Sequence, residues 1–283
     1  MIDLTTLPAP RVVEPLSYEA ILAAAKADFA ERMRPHLPSI DDILQLESDP
    51  VVKLLESHAY RELLYRARVN DAALAHLLAF ATGADLDHKG AFYGVARLGG
   101  ESDDRYRRRI QLRVRALAGN GTREHYELAA LTASQLVRDA IATQPLAGRV
   151  SVLLWLVDGA DPEATAATVL AALNAEDARP LGVPVSVALA QPKAINITAT
   201  LTREAGAPVD LVAQVRAALA PAVADFARLG RAVSRSWITT RLHVAGISSV
   251  RYTDAAAPAE VTPIAATEYP VLGVVQLTDG GVA

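Results

Sequence analysis

Two carboxylates and an imidazole fall within four residues at Asp85-Leu86-Asp87-His88. Such a grouping could hold a divalent metal or relay a proton, but either task needs further groups from elsewhere in the chain. The remaining histidines are His36, His58, His76, His125 and His243, and none stands in an H-E-x-x-H spacing. His58 and His76 fall on one predicted helix, roughly 27 Å apart at 1.5 Å per residue, too far to share an ion. Asp85–His88 is therefore expected to be a helix-end cap or turn. Gly119-Asn120-Gly121-Thr122 has the look of a phosphate loop, yet it lacks the G-x-x-x-x-G-K-[ST] spacing and a preceding strand. A joint between two helices accounts for it. No G-x-S-x-G elbow or G-x-G-x-x-G fingerprint occurs. The absence of cysteine excludes disulfides, thiolate metal sites and cysteine nucleophiles. The expectation is a non-enzyme with no catalytic residues, cofactor, metal or small-molecule substrate.

The strongest charge feature is the arginine run Arg105, Arg107, Arg108, Arg109, Arg113 and Arg115. Guanidinium groups match phosphate and carboxylate oxygens in bidentate fashion, so the run could grip a nucleic acid or hold acidic side chains. Glu101, Asp103 and Asp104 lie just upstream, and Arg105, Arg109 and Arg113 alternate around an apolar stripe. Ion pairing, structural or across a protein interface, is the expected use, with Arg105, Arg108 and Arg109 as candidates for interface pairing. The competing use is a cytosolic nucleic-acid-associated scaffold working through residues 103–117. A net charge of −4 and a pI near 5.9 lend that alternative no support.

The elements that carry these residues are mostly helical in the first half. Asp49 can cap and Pro50 can open a helix, and no glycine or proline follows until Gly83. About 32 residues, or roughly 48 Å, can thus run unbroken. A helix of that length suggests a bundle or a partner-facing coil. Val52, Leu55, Ala59, Leu63, Arg66, Val69, Ala73, Leu77 and Phe80 recur three or four residues apart as one stripe, broken only at Arg66. Gly83 is the expected C-cap. A second helix starts at Ser102, with Tyr106, Ile110, Val114 and Leu117 as its apolar face, and Thr122 caps a third towards Ala133.

Four regions are expected. Residues 1–48 form an arm and helix, with Ser17 as cap; the opening 16 residues look extended and could order on a neighbouring subunit. Residues 49–135 are the helical, bundle-forming region. Residues 136–191 and 192–283 are two successive small α/β sandwiches, the second with the C-terminal tail. Arg149–Val157 is apolar on both faces, as a buried central strand should be. A helix opens at Asp161-Pro162, and Val183–Leu189 alternates as a strand. The pattern restarts at Ile195, where Ile195, Ile197, Ala199 and Leu201 share one face, and a helix from Pro208 follows. The restart looks like a degenerate repeat, although identity between the halves is too low to establish duplication. The fold class is α+β.

The 283 residues suffice for a substantial core, and 51% hydrophobic against 21% charged content excludes wholesale disorder. No run of 18 uncharged apolar residues marks a membrane span, and the first residues do not form a secretory signal.

The stretches DPVVKLLESHAYRELLYRARVNDAA, LLAFATGADLDHKGAFYGVARL and ESDDRYRRRIQLR resemble the baseplate assembly protein J family of contractile-tailed phages and tail-like bacteriocins. GRVSVLLWLV, ARPLGVPVSV and SWITTRLHVAGISSVRYT resemble its carboxyl half, so the likeness spans about residues 10–255. The resemblance implies a structural wedge subunit of a tail baseplate, in a virion or tail-like particle, assembled in the bacterial cytoplasm. It implies pairing of two copies with a third, different wedge protein through a helical bundle, and ring contacts through the α/β domains. Other baseplate, sheath-initiator or hub proteins would be further partners, with no nucleic acid and no membrane span. Carried onto this sequence, Val52, Leu55, Leu63, Val69, Leu77 and Phe80 would supply bundle core. Tyr60, Arg61, Glu62 and Arg66 would be partner contacts. Separately from the resemblance, glycine's backbone freedom makes the Gly94–Gly100 segment, with Gly94, Gly99 and Gly100, the expected hinge between helical and ring-forming parts.

Overall fold

The computed structural model describes residues 14–175, 178–180 and 182–283. The expectation of an extended opening segment lies outside the described residues for positions 1–13. Ser17 begins helix α1 (Tyr18–Met33), its hydroxyl accepting from the Ala20 N–H. After the short α2 (Ile40–Ile43), Asp49 caps α3 (Pro50–Ala75) by accepting from the Val51 N–H, with Pro50 in the first turn. These are the local devices that the sequence advertises, because an orphan N–H at a helix start needs an acceptor.

The far end of α3 departs from expectation. The helix stops at Ala75 after 26 residues, about 39 Å of length. Gly83 is not its C-cap; it is the first residue of α4 (Gly83–Phe92), at φ +50°. The cause lies in the next helix, α5 (Asp103–Ala116). Arg107 donates from Nε to the Leu78 carbonyl and from Nη2 to the Ala81 carbonyl, each at 2.8 Å. Asp103 accepts from the Gly83 N–H at 3.1 Å. Side chains 20 or more residues downstream thus satisfy the turn's backbone groups and make early termination tolerable. Asp85–His88, expected as a cap or turn, lies inside α4 for the same reason.

Helix α6 (Arg123–Ala133) is capped by Thr122, as expected. Strands β1 (Val137–Leu146) and β2 (Arg149–Leu156), helix α7 (Pro162–Leu173) and strand β3 (Val185–Leu189) complete a first sheet of order β1-β2-β3. Strand β4 (Gln191–Arg203), helix α8 (Leu211–Phe226), strand β5 (Val233–Ser234), helix α9 (Arg235–Leu242), and strands β6 (Ile247–Tyr252), β7 (Val261–Thr262) and β8 (Glu268–Val282) follow. The second sheet has the order β6-β4-β8, and β5 pairs with β7. The chain is α+β.

In each three-stranded sheet the central strand has one antiparallel and one parallel neighbour. Val152–Trp155 at the middle of β2 are all buried, which is why that strand is apolar on both faces. The chain order differs between the sheets, however. The antiparallel neighbour precedes the central strand in the first and follows it in the second. Leu112, Tyr126, Leu131, Leu154, Val169 and Leu173 form the core over the first sheet. Ile195, Ile197, Leu201, Val215, Leu219 and Ile238 form the core over the second.

The chain divides into two compact units, residues 1–97 with 102–107, and residues 98–101 with 108–283. In the first, Tyr106 is almost fully buried and donates its hydroxyl proton to the Val95 carbonyl at 2.7 Å. Gly90 lies so close that an added Cβ would meet the Tyr106 Oη at 1.8 Å and the Val95 carbonyl at 2.8 Å. No side chain fits there without moving the tyrosine or the backbone. Gly90→Ala is expected to cost roughly 3 kcal/mol, the upper part of the overpacking range. Urea unfolding would detect it as a lower midpoint; an unchanged midpoint would refute the contact.

Candidate assembly surfaces

Helix α3 has two apolar faces with different fates. On the inner face Val52 is fully buried with Ala30, Ile40 and Leu44, and Leu55 packs against this cluster. Ala59 and Asn70 are also buried, while Leu63 and Leu77 are half-buried. Val69 and Phe80, from the same expected stripe, are exposed. The stripe assigned to a bundle core is therefore filled, over its first half, by α1 and α2 of the same chain. Arg66, the one polar interruption, pairs with Glu62 at 2.6 Å and with Glu14 at 3.2 Å. Asn70 accepts from the Glu14 N–H and donates to the Glu14 carbonyl, both at 2.8 Å, fixing the lead-in of α1 to α3. Of the residues expected to contact partners, Glu62 and Arg66 are engaged within the subunit, and Tyr60 and Arg61 are exposed.

The outer face escaped the sequence reading. Leu54 is 69% exposed and Tyr65 is 71% exposed, with Leu64 between them and Tyr60 and Val69 on the flanks. Positions 54, 57, 61, 64, 65 and 68 recur at three, four and seven, which is one helical face. Its signal was present in the sequence, but the inner stripe is longer and masked it. Leu54, Leu64 and Tyr65 thus stand in solvent on this face beside the polar Ser57, Arg61 and Arg68, and burying a large apolar side chain stabilises by about 1.5–3 kcal/mol.

At α4 the acidic residues are used for structure. Asp87 and Asp103 both accept from Arg97, at 2.6 and 2.7 Å, and the Arg97 guanidinium lies 4.6 Å from the Tyr106 ring centre. The Gly83 N–H and Arg97 together hold the Asp103 carboxyl below the usual carboxylate range. Asp85 and His88 line an open hollow of about 440 Å³ with His76, Lys89, Phe92 and Tyr93. No metal-binding group of three or more His, Cys, Asp or Glu occurs among the described residues. Phe92 is 83% exposed and meets Tyr93 edge-on.

Arg108 and Arg109 of α5 belong to the second unit. Arg109 is almost fully buried and bonds Glu101 at 2.7 Å; Glu101 also accepts from the Leu98 N–H. Arg108 pairs with the buried Asp139 of β1. Asp139 further accepts from the Ala140 N–H and, at 3.2 Å, from the Leu229 N–H. Arg105 is half-buried. Pairing of Arg109 inward also turns the buried face of α5 towards Leu112 and Ala116, leaving Val114 and Leu117 exposed, unlike the expected stripe. Glu127 of α6 is buried beside this cluster and accepts from the Ala142 N–H at 3.2 Å. Burial pushes its carboxyl up to about 7. Glu127 and Asp139 carried no sequence signal, because their partners are distant in the chain. Among the proposed hinge glycines, Gly94 and Gly100 adopt φ +70° and +77°, while the Gly99 carbonyl accepts from Gln135.

Among the described residues no helix is long and apolar enough to cross a membrane. Residues 47–104 match the family model described as the baseplate J-like N-terminal domain. The chain is similar to "Baseplate protein J" of Escherichia phage P2, with 38% identity over 272 residues, covering 88% of this chain and 89% of that protein.

Removing one partner from a buried ion pair leaves the other desolvated, at a cost of about 3–5 kcal/mol. Glu101→Ala is expected to fall in that range by chemical denaturation. A matched apolar replacement of both partners, Glu101→Met with Arg109→Met, is expected to cost far less. Equal losses in the single and double variants would contradict the assignment.

Proposed function

Since the chain belongs to the baseplate J family, we propose that this structural baseplate component works as a wedge subunit of a contractile tail. In this reading two copies join one copy of a different wedge protein through helical contacts. The α/β sheets of the second unit make ring contacts with neighbouring wedges, and other baseplate, sheath-initiator or hub proteins bind the finished assembly. Assembly takes place in the bacterial cytoplasm. No catalysis is required of it.

The observation that carries this reading is the outer face of α3. Leu54, Leu64 and Tyr65 stand exposed on a helix whose opposite face is, over its first half, already occupied by its own chain. A partner helix laid along it would bury those side chains, and acidic groups of the partner would meet the exposed Arg61 and Arg68 that share the face. Tyr60 and Val69 flank it, while Val52 and Leu55 support it from behind. The nucleic-acid alternative is weakened because Arg107, Arg108 and Arg109 all spend their guanidinium groups on acceptors within the chain.

Gly94, Gly99 and Gly100 remain the proposed hinge. An alanine at Gly99 would meet no atom within 4 Å, so any effect of it on the particle would come from lost backbone freedom. Gly100→Ala adds left-handed strain of about 1–2 kcal/mol. The double variant is expected to fold as an isolated subunit yet fail in assembly or triggering. Normal contractile particles from it would refute the hinge.

The partner face is tested by co-expression with adjacent tail proteins, followed by native mass measurement. Leu64→Glu with Tyr65→Glu is expected to leave the subunit's stability within about 0.5 kcal/mol, as for exposed sites, and to abolish the two-to-one complex. Val52→Ala is expected to do the opposite, costing roughly 2 kcal/mol while the folded fraction still assembles. A normal complex from the Leu64/Tyr65 variant would overturn the assignment of this face.

A further inference from the structure

Arginine and aromatic side chains form a continuous row at the end of α8 and along α9. Arg228 donates to the Asp225 and Ala227 carbonyls, and Arg231 donates to the Phe226 carbonyl at 3.2 Å. The Arg231 guanidinium also lies 3.8 Å from the Phe226 ring centre. Phe226 meets Trp237 with ring centres 4.1 Å apart, and Arg241 lies 5.4 Å from the Trp237 ring centre. The three arginines are exposed, whereas both rings are half-buried against the core over the second sheet. Stacking on a ring orients a guanidinium while leaving its N–H edges open to acceptors.

The row has no counter-charge of its own. Residues 226–253 hold five arginines and no aspartate or glutamate. Among the described residues, Arg228, Arg231 and Arg241 form no ion pair. Arg235 and Arg251 stand outside the row. Arg235 donates to the Ala255 and Pro258 carbonyls. Arg251 alternates on β6 with Val250 and Tyr252, which pack on the core, so it lies on the other face of the sheet. Opposite charge is gathered elsewhere in the same unit. Residues 150–178 hold five carboxylates and no lysine or arginine. Asp158, Asp161 and Glu163, at the start of α7, are exposed and form no ion pair among the described residues. Asp161 caps the helix by accepting from the Glu163 and Ala164 N–H groups, so Asp158 and Glu163 are the carboxylates left facing solvent.

We propose that the row of Arg231, Phe226, Trp237 and Arg241 receives the acidic start of α7 from a second copy of this chain. This deepens the ring-contact reading of the second unit, and rests on that reading for its place in the particle. Charge complementarity selects the occupant. Each copy presents both signs, and neither is neutralised by an ion pair within its own chain. Rings beneath the arginines suit such a contact, since arginine and tryptophan are enriched where protein interfaces bind most strongly. A nucleic acid would use the arginines but not Asp158 and Glu163, so reversing each surface in turn separates the two partners.

Sedimentation of the purified full-length chain reads this contact without any other baseplate protein. Self-association is expected in about 0.05 M salt and should weaken at least about tenfold in about 0.5 M salt. Arg231→Glu with Arg241→Glu is expected to abolish it, and so is Asp158→Lys with Glu163→Lys. All four changes in one chain restore opposite charges across the contact and should recover self-association, which a chain that merely folds badly would not do. A parent that stays monomeric at low salt would refute the proposal, as would a four-site chain that fails to recover. Normal self-association of the Asp158/Glu163 variant would hand the arginine row to another acidic protein or to nucleic acid, and the second-copy assignment would fall. The two-to-one complex is measured on the same proteins co-expressed with adjacent tail proteins, and should form in all of them. Its absence from the parent would sink the wedge reading, while self-association of the chain alone still decides this contact.

Discussion

A buried guanidinium must find an acceptor, and much of this chain is arranged around that requirement. Three consecutive arginines, Arg107, Arg108 and Arg109, radiate from α5 at steps of about 100°, so they cannot share one acceptor. Arg107 takes the Leu78 and Ala81 carbonyls and thereby sets where α3 stops. Arg108 takes Asp139 and thereby anchors the segment that crosses between the sheets. Arg109 takes Glu101 in a fully buried pair. The dense positive charge of Arg107, Arg108 and Arg109 serves as internal wiring.

That wiring changes what α3 can do. Its inner face is occupied by α1 and α2, so Val52 and Leu55 stabilise the subunit. What remains for a partner is the opposite face, where Leu54, Leu64 and Tyr65 stand in solvent. A helix apolar on two sides suits an assembly subunit. In the proposed assembly one side gives a folded module, and the other would supply apolar area for association.

Local signals were legible and long-range ones were not. Ser17, Asp49, Thr122 and Asp161 all act as the N-caps that their positions suggested. The buried centre of β2 and the alternation along β4 follow directly from residue type and spacing. The end of α3 was misread because its cause, Arg107, lies some 30 residues away, and no local rule detects a distant donor. The stripe from Val52 to Phe80 was correctly seen as apolar, yet periodicity cannot tell whether a face is covered by the same chain or by another. For the same reason Leu54 and Tyr65 escaped notice, and so did Glu127 and Asp139, whose partners come together only in the folded state.

The central claim is that the outer face of α3 is covered by a partner helix in the assembled baseplate. The chain contains no cysteine, so a single one at the exposed Ser57, on that face, can be followed without interference. Its rate of thiol modification should be compared between the isolated subunit and the assembled particle. Rapid modification in the subunit and at least tenfold protection in the particle is the result expected. Equal reactivity in both states would contradict the account.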